Sequence, residues 1–184
     1  MRLFVALPVD GKIRECATRL RKANEMSHGL RWMPVDQLHI TMLFLGECPV
    51  SQFSTISEQI EQISQSISPF RLEKGVFRAA PPEQEARKKM VWLQFSQNET
   101  LTRFHNALTS ALQPQLDTSL QKVTAVKPHT TVARLRRGVS FPRLNLEVLK
   151  KPVWVEAQEA WMVQSRLGAR GAVYRWLQRF PLYG

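Results

Sequence analysis

The chain carries the same short phrase twice, His39-Ile40-Thr41-Met42 in its first half and His129-Thr130-Thr131-Val132 in its second. Successive side chains of a strand point to opposite faces, so a His and a Thr two apart aim an imidazole and a hydroxyl at one spot. Two such strands brought face to face would hold two imidazoles and two hydroxyls around one small target. With 4 His and 10 Thr in 184 residues, two of four His followed by such a Thr is expected by chance only about a few times in a hundred. Taken singly, each motif has a plainer reading, a histidine at a core edge beside a strand threonine. Their pairing separates the two readings.

Leu38, Ile40, Met42, Leu43, Phe44 and Leu45 make the first motif segment nearly all apolar, the pattern of a strand covered on both faces. An imidazole there loses hydration and needs a partner, so it is hydrogen-bonded for structure or kept for a task.

The rest of the chain frames these strands. Leu3 to Leu7 reads as a strand, Gly11 to Asn24 as a helix, and Ser51 to Ser66 as a helix with Phe53, Ile56, Ile60, Ile63 and Ile67 at helical spacing. Phe70 to Ala80 and Val91 to Phe95 read as strands. Between them Pro81 to Lys89 is an exposed turn. Glu99 to Leu112 reads as a helix with Leu101, Phe104, Leu108 and Leu112 on one face, and the second motif strand spans His129 to Leu135. Val153 to Ser165 and Ala172 to Phe180 are expected as two strands joined by a turn at Gly168 to Gly171. Phe4 precedes His39 by 35 residues and Trp92 precedes His129 by 37, which suggests a diverged duplication of strand, helix and motif strand. Strands and helices alternate without a regular parallel rhythm, so the fold class is α+β.

At 184 residues there is enough chain for one sizeable core or two small lobes sharing one. The apolar run Leu3 to Leu7 is too short for a signal peptide or membrane span. Cys16 and Cys48 are isolated thiols, so a reducing, cytoplasmic setting is expected. Lys plus Arg number 26 against 15 acids, a net charge of +11 that favours polyanions, nucleic acid first. Such charge also serves solubility alone. Its distribution favours the former: Arg134, Arg136, Arg137 and Arg143 crowd after the second motif, and Arg166, Arg170, Arg175 and Arg179 mark the C-terminal segment.

Two histidines acting as base and acid across a bond suit displacement at phosphorus. A neutral imidazole takes a proton from the nucleophile while an imidazolium donates to the leaving oxygen. Thr41 and Thr131 can donate to the non-bridging oxygens. A metal would need further ligands, and beside the motifs only Asp36 near His39 has coordination spacing. No serine or cysteine elbow and no Gly-rich phosphate loop is present. His28 and His105 lack a Thr partner, and His105, between Phe104 and Leu108, is structural or solvent-exposed.

HITMLFLGE and PHTTVAR, half a chain apart, with the RLFVAL opening and the late SRLGARGAVY, resemble the two-histidine phosphoesterases in their bacterial and archaeal branch, the RNA 2′,3′-cyclic phosphodiesterases or 2′-5′ RNA ligases. The resemblance implies two pseudosymmetric lobes, antiparallel sheets with helices packed outside, forming one bilobal domain over residues 1–184 with both motifs on a central cleft. It implies no metal and no cofactor. The implied reaction opens a terminal 2′,3′-cyclic phosphate to a 2′-phosphate, and an implied reversible ligase activity joins RNA ends through a 2′-5′ bond. By motif position His39 would be the acid at the 3′ oxygen and His129 the base activating water, although the motifs themselves are chemically alike. Arg134 would bind phosphate, yet strict alternation sets it opposite His129, so it needs a strand end or bulge to reach. The fourth motif position, often aliphatic, is Met42 in one copy and Val132 in the other, and neither should touch phosphate. Phe44, Trp161 and Tyr174 are candidates to stack a terminal base, with core packing as their commoner use. The expected partners are RNA ends, tRNA-like or other oligoribonucleotides, met by a monomer. A two-histidine enzyme for another cyclic or 2′-5′-linked nucleotide remains an alternative. A basic RNA-binding module without turnover fits less well, since Arg or Lys would serve binding alone.

Overall fold

Apolar spacing and capping together account for the helices. Helix α1 (Gly11–Ala23) starts where the Asp10 carboxylate accepts from the Ile13 amide at 3.0 Å, and it buries Ile13, Cys16, Ala17 and Leu20. Arg21 and Lys22 sit at its negative end. Helix α3 (Glu99–Leu112) repeats the device with Asn98, which accepts from the Leu101 amide at 2.9 Å, and buries Leu101, Phe104, His105, Leu108 and Leu112. Helix α2 (Phe53–Gln65) lacks a side-chain cap and is entered from a 3-10 turn over Val50–Gln52. Its hold on the fold is its buried face, where Ile56 and Ile60 are sealed from water, each contributing about 1.5–3 kcal/mol.

The computed structural model describes residues 1–82, 88–115, 126–149, 151–168 and 171–184. Its strands are β1 (Arg2–Pro8), β2 (Leu30–Trp32), β3 (His39–Glu47), β4 (Phe70–Ala80), β5 (Met90–Gln94), β6 (His129–Leu135), β7 (Val153–Ala157), β8 (Glu159–Gly168) and β9 (Gly171–Pro181). They form one antiparallel sheet in the order β7-β4-β5-β6-β3-β1-β8-β9, with β2 added on β6. The motif strands β3 and β6 meet at its centre through a single pair, Ile40 opposite Thr130. Outward from that joint both halves read alike: a motif strand, then the strand that opens its own copy (β1 or β5), then two more. The class is α+β, in two pseudosymmetric lobes.

The helices cross between the lobes. α3, from the second copy, packs with α2 and behind β3 of the first lobe, while α1 packs against β7 of the second. One large core therefore serves both halves. A small second cluster, Phe4, Ala6 and Val163 with Trp161, Tyr174 and Trp176 against it, lies on the other side of β1.

Two expectations need correction, and one strand was not foreseen. The apolar run Val153 to Ser165 is two strands: β7 pairs with β4 at one edge and β8 with β1 in the other lobe, and the chain changes neighbour at Gln158. The short strand β2 has no counterpart in the apolar pattern, because β6 rather than local sequence recruits it. The first motif strand is not covered on both faces. Ile40, Met42, Leu43 and Leu45 are buried, whereas His39 and Thr41 are half-buried and Phe44 is 51% exposed. Residues 83–87 of the expected Pro81 to Lys89 turn, and residues 169–170 of the Gly168 to Gly171 turn, lie outside the described residues.

Candidate active site

β-Bulges set the faces of both motif strands. Along β1, Ala6 pairs with Thr41 and Val5 with Leu43, so Met42 has no partner. Along β5, Trp92 pairs with Thr131 and Val91 with Ala133, so Val132 has none. In each motif the fourth residue is the inserted one, and the insertion reverses the alternation beyond it. Arg134 thereby lands on the face of His129 and Thr131, opposite Met90, with its Nη1 3.4 Å from the Met90 sulfur. Phe44 lands on the face of His39 and Thr41 in the same way, opposite Phe4. Phe44 and Arg134 are thus pseudo-equivalent, apolar in one lobe and cationic in the other.

The register at the joint brings the motifs together. Ile40 and Thr130 turn into the core, both fully buried, so their flanking residues turn the other way. An antiparallel register then sets His39 across from Thr131 and Thr41 across from His129. His39 and His129 are thus diagonal positions, a relation that spans about 7–8 Å between residues in an ideal ladder.

Each imidazole is held by the carbonyl two residues before it. His39 Nδ1 donates to the Gln37 carbonyl at 2.8 Å, and His129 Nδ1 to the Lys127 carbonyl at 2.8 Å. A carbonyl only accepts, so Nδ1 keeps its proton and Nε2 is left for chemistry, as acceptor when neutral and donor when charged. The surroundings differ. Phe4 lies 5.0 Å from the His39 ring, and Tyr174 meets it edge-on at 4.8 Å. Trp92 stacks on His129 at 3.9 Å and 28°.

Burial pushes the His39 imidazole down to about 4, and the positive charges of His129 and Arg134 push the same way against the Gln37 hydrogen bond. His129 is also lowered, by burial first and then by Arg134 and Lys127. Both rings are neutral in the free protein at pH 7, and bound negative charge favours their imidazolium forms.

One further cation lies beside Arg134. Arg31 on β2 pairs with Arg134, and its guanidinium lies so close to Gly171, at the start of β9, that a side chain there would collide with it. Arg136, Arg137 and Arg143 are exposed. Arg179 is taken up by Glu159, which also accepts from the Trp161 indole at 2.8 Å. Arg170 lies outside the described residues.

Trp92 escaped the sequence reading as a site residue, whereas His105 takes the structural of the two uses expected for it. Trp92 is placed by the β5–β6 register, and the alternation Met90, Trp92, Gln94 was its only local signal. His105 is buried in α3 and donates Nδ1 to the carbonyl of Met42, the bulged residue, at 2.8 Å. No spacing in the sequence announces that contact.

An α+β fold whose two motif strands meet at the centre of one antiparallel sheet, with both His–Thr couples on one face, defines a two-lobed pseudosymmetric class of protein. The sequence profile of the 2′-5′ RNA ligase superfamily matches residues 8–168, and the chain belongs to that family. It is 29% identical over 184 residues to an RNA 2′,3′-cyclic phosphodiesterase of Archaeoglobus fulgidus, covering 98% of this chain and 99% of that one. A protein of the same name from Thermus thermophilus is 28% identical, over 100% and 91%. The crystal structure of the Thermus thermophilus protein TT0787 shares the fold with a TM-score of 0.83 at 24% identity, covering 100% of this chain and 99% of that one.

Proposed function

We propose that this chain is an RNA 2′,3′-cyclic phosphodiesterase, opening a terminal 2′,3′-cyclic phosphate to a 2′-phosphate and a free 3′ hydroxyl, with reversible 2′-5′ ligation when an RNA 5′ hydroxyl takes the place of water as nucleophile. The observation that carries it is the matched pair of imidazoles, each with Nδ1 committed to a backbone carbonyl and Nε2 left over, flanking one joint in one sheet. His129 Nε2 takes a proton from water as its oxygen attacks phosphorus. The bond from phosphorus to the 3′ oxygen breaks, and imidazolium His39 gives that oxygen its proton. Thr41 and Thr131 donate to the non-bridging oxygens, and Arg134 balances their charge. The order of acid and base follows the family resemblance.

The substrate end is that of a tRNA-like or other oligoribonucleotide. Exposed Phe44 is the aromatic best placed for a terminal base, whereas Tyr174 is engaged with His39 and Trp161 with Glu159. We take the chain to act as a monomer and a single bilobal unit in a reducing cytoplasm, where buried Cys16 and Cys48 stay as thiols. The test is incubation in EDTA with an oligoribonucleotide ending in 2′,3′-cyclic phosphate, followed by identification of the product isomer. A 2′-phosphate is expected. An intact substrate, a 3′-phosphate, or activity only after a divalent metal is restored would each overturn the proposal.

A further inference from the structure

The two motifs are chemical copies, yet only His129 carries an aromatic ring flat against its face. Trp92 lies on β5 directly opposite Thr131, and its indole stacks on the imidazole at 3.9 Å and 28°. The pseudo-equivalent residue in the first lobe is Ala6, opposite Thr41, which has no ring to offer His39. Trp92 is 8% exposed, and its Nε1 is buried with no partner among the described residues. A buried indole N–H without an acceptor is unfavourable, so the ring is placed there for its face rather than its donor. The Lys127 carbonyl fixes His129 along an edge and the indole fixes its plane, which leaves the ring no free rotation.

We propose that Trp92 is a positioning residue for His129: the stacked indole locks the imidazole plane and shields one face from water, so that Nε2 is held in one direction for the proton it accepts in the proposed reaction. This role rests on the proposed hydrolytic function. The charged groups facing His129 are Arg134 on its own strand, Lys127 just before it and His39 on β3, while β5 presents only neutral Met90, Trp92 and Gln94. All three charged groups are cationic or become so, and none is altered by changing Trp92. Two effects of the indole oppose each other: cation–π attraction favours imidazolium, and desolvation disfavours it. Burial is the leading cause of the lowered His129 value, so desolvation wins and removing the ring should raise it.

The experiment follows the histidine ring resonances against pH in the wild-type chain, Trp92→Met and Trp92→Phe, beside rate profiles on the cyclic phosphate. In Trp92→Met the His129 midpoint should rise by about half a unit to one unit, with His39 moving less. The rate bell, whose limbs belong to the coupled pair, should move to higher pH with it, and kcat should fall by about tenfold with KM little changed. Trp92→Phe should recover most of both, and its smaller shift of the same sign decides the matter should Trp92→Met not fold. An unchanged or lowered His129 midpoint in a folded variant overturns the role, as does a loss in Trp92→Met that Phe does not restore. If neither wild type nor variants open the cyclic phosphate, the hydrolytic function fails, and the titration still judges whether Trp92 sets the state of His129.

Discussion

Ile40 lies opposite Thr130 in an antiparallel pair, the one pair by which β3 and β6 are joined, and both side chains are fully buried. A joint of one pair leaves the strands free to diverge on either side, which opens room for a substrate. The same joint turns both His–Thr couples outward and crosses them, with each histidine facing the other motif's threonine. A one-residue slip of either strand would send its own His and Thr into the core.

The rate profile should sit on the acid side. His39 is held near 4 and His129 below its ordinary value in the free protein, so both limbs of kcat/KM are expected below about pH 6.5. Bound phosphate adds negative charge and favours imidazolium, so the kcat bell should lie at higher pH. The limbs belong to the coupled pair rather than to single residues. A kcat/KM optimum well above pH 7 would show that the rings are not desolvated as described.

Both lowered values also bear on stability. A depressed folded-state value means that the folded chain binds fewer protons than the unfolded one, so stability is fully present above the unfolded value near 6.5. It should fall as pH drops from there toward about 4, the His39 value. Urea midpoints across that window, compared with those of His39→Ala, check the sign. A wild-type loss no steeper than the variant's would contradict it.

His39→Ala and His129→Ala should each remove most turnover, whereas Thr41→Ala and Thr131→Ala should cost roughly ten- to a thousand-fold as lost oxyanion donors. A substrate with a good leaving group at the 3′ position needs little protonation, so it should rescue His39→Ala and not His129→Ala. Rescue of His129→Ala instead would exchange the two roles, and near-normal rates in both variants would end the two-histidine mechanism.

His105 holds the carbonyl of bulged Met42 from across the core at 2.8 Å. Replacing it with Leu strands that buried acceptor, with an expected loss of about 1–3 kcal/mol in denaturant unfolding. Turnover should fall too, because the bulge sets the face of Phe44 and the course of the strand directly after Thr41. A loss below about 0.5 kcal/mol, the range of ordinary surface changes, would mean that the bulge needs no brace.

RNA binding should weaken with salt, the logarithmic slope growing by about 0.7 for each phosphate neutralised on a single strand. Arg134→Ala should reduce that slope by about one contact, and Arg134→Lys should restore the charge but not a fork-like grip. A slope that is flat in the wild-type chain would assign the +11 charge to solubility.

Much of this molecule is decided within short stretches of chain. Phe70 to Ala80, Glu99 to Leu112 and His129 to Leu135 have the same bounds as strand, helix and motif strand in sequence pattern and in structure, because periodicity and capping act over one or two turns. The His–Thr couples are local for the same reason: two residues of extended chain suffice to put both on one face. What needed the tertiary structure is everything that depends on a neighbour far along the chain. Val153 to Ser165 is one apolar run in sequence, yet it divides because β4 claims its first part and β1 its second. Arg134 and Phe44 reach the cleft face only because Val132 and Met42 find no partner across their ladders, and no residue in either motif reveals such a mismatch. The stacking of Trp92 on His129 and the reach of His105 to Met42 follow from register and from the crossing of α3 into the other lobe. Two motifs alike in chemistry become unlike in environment there, since local sequence specifies which side chains are present and long-range packing specifies what surrounds them.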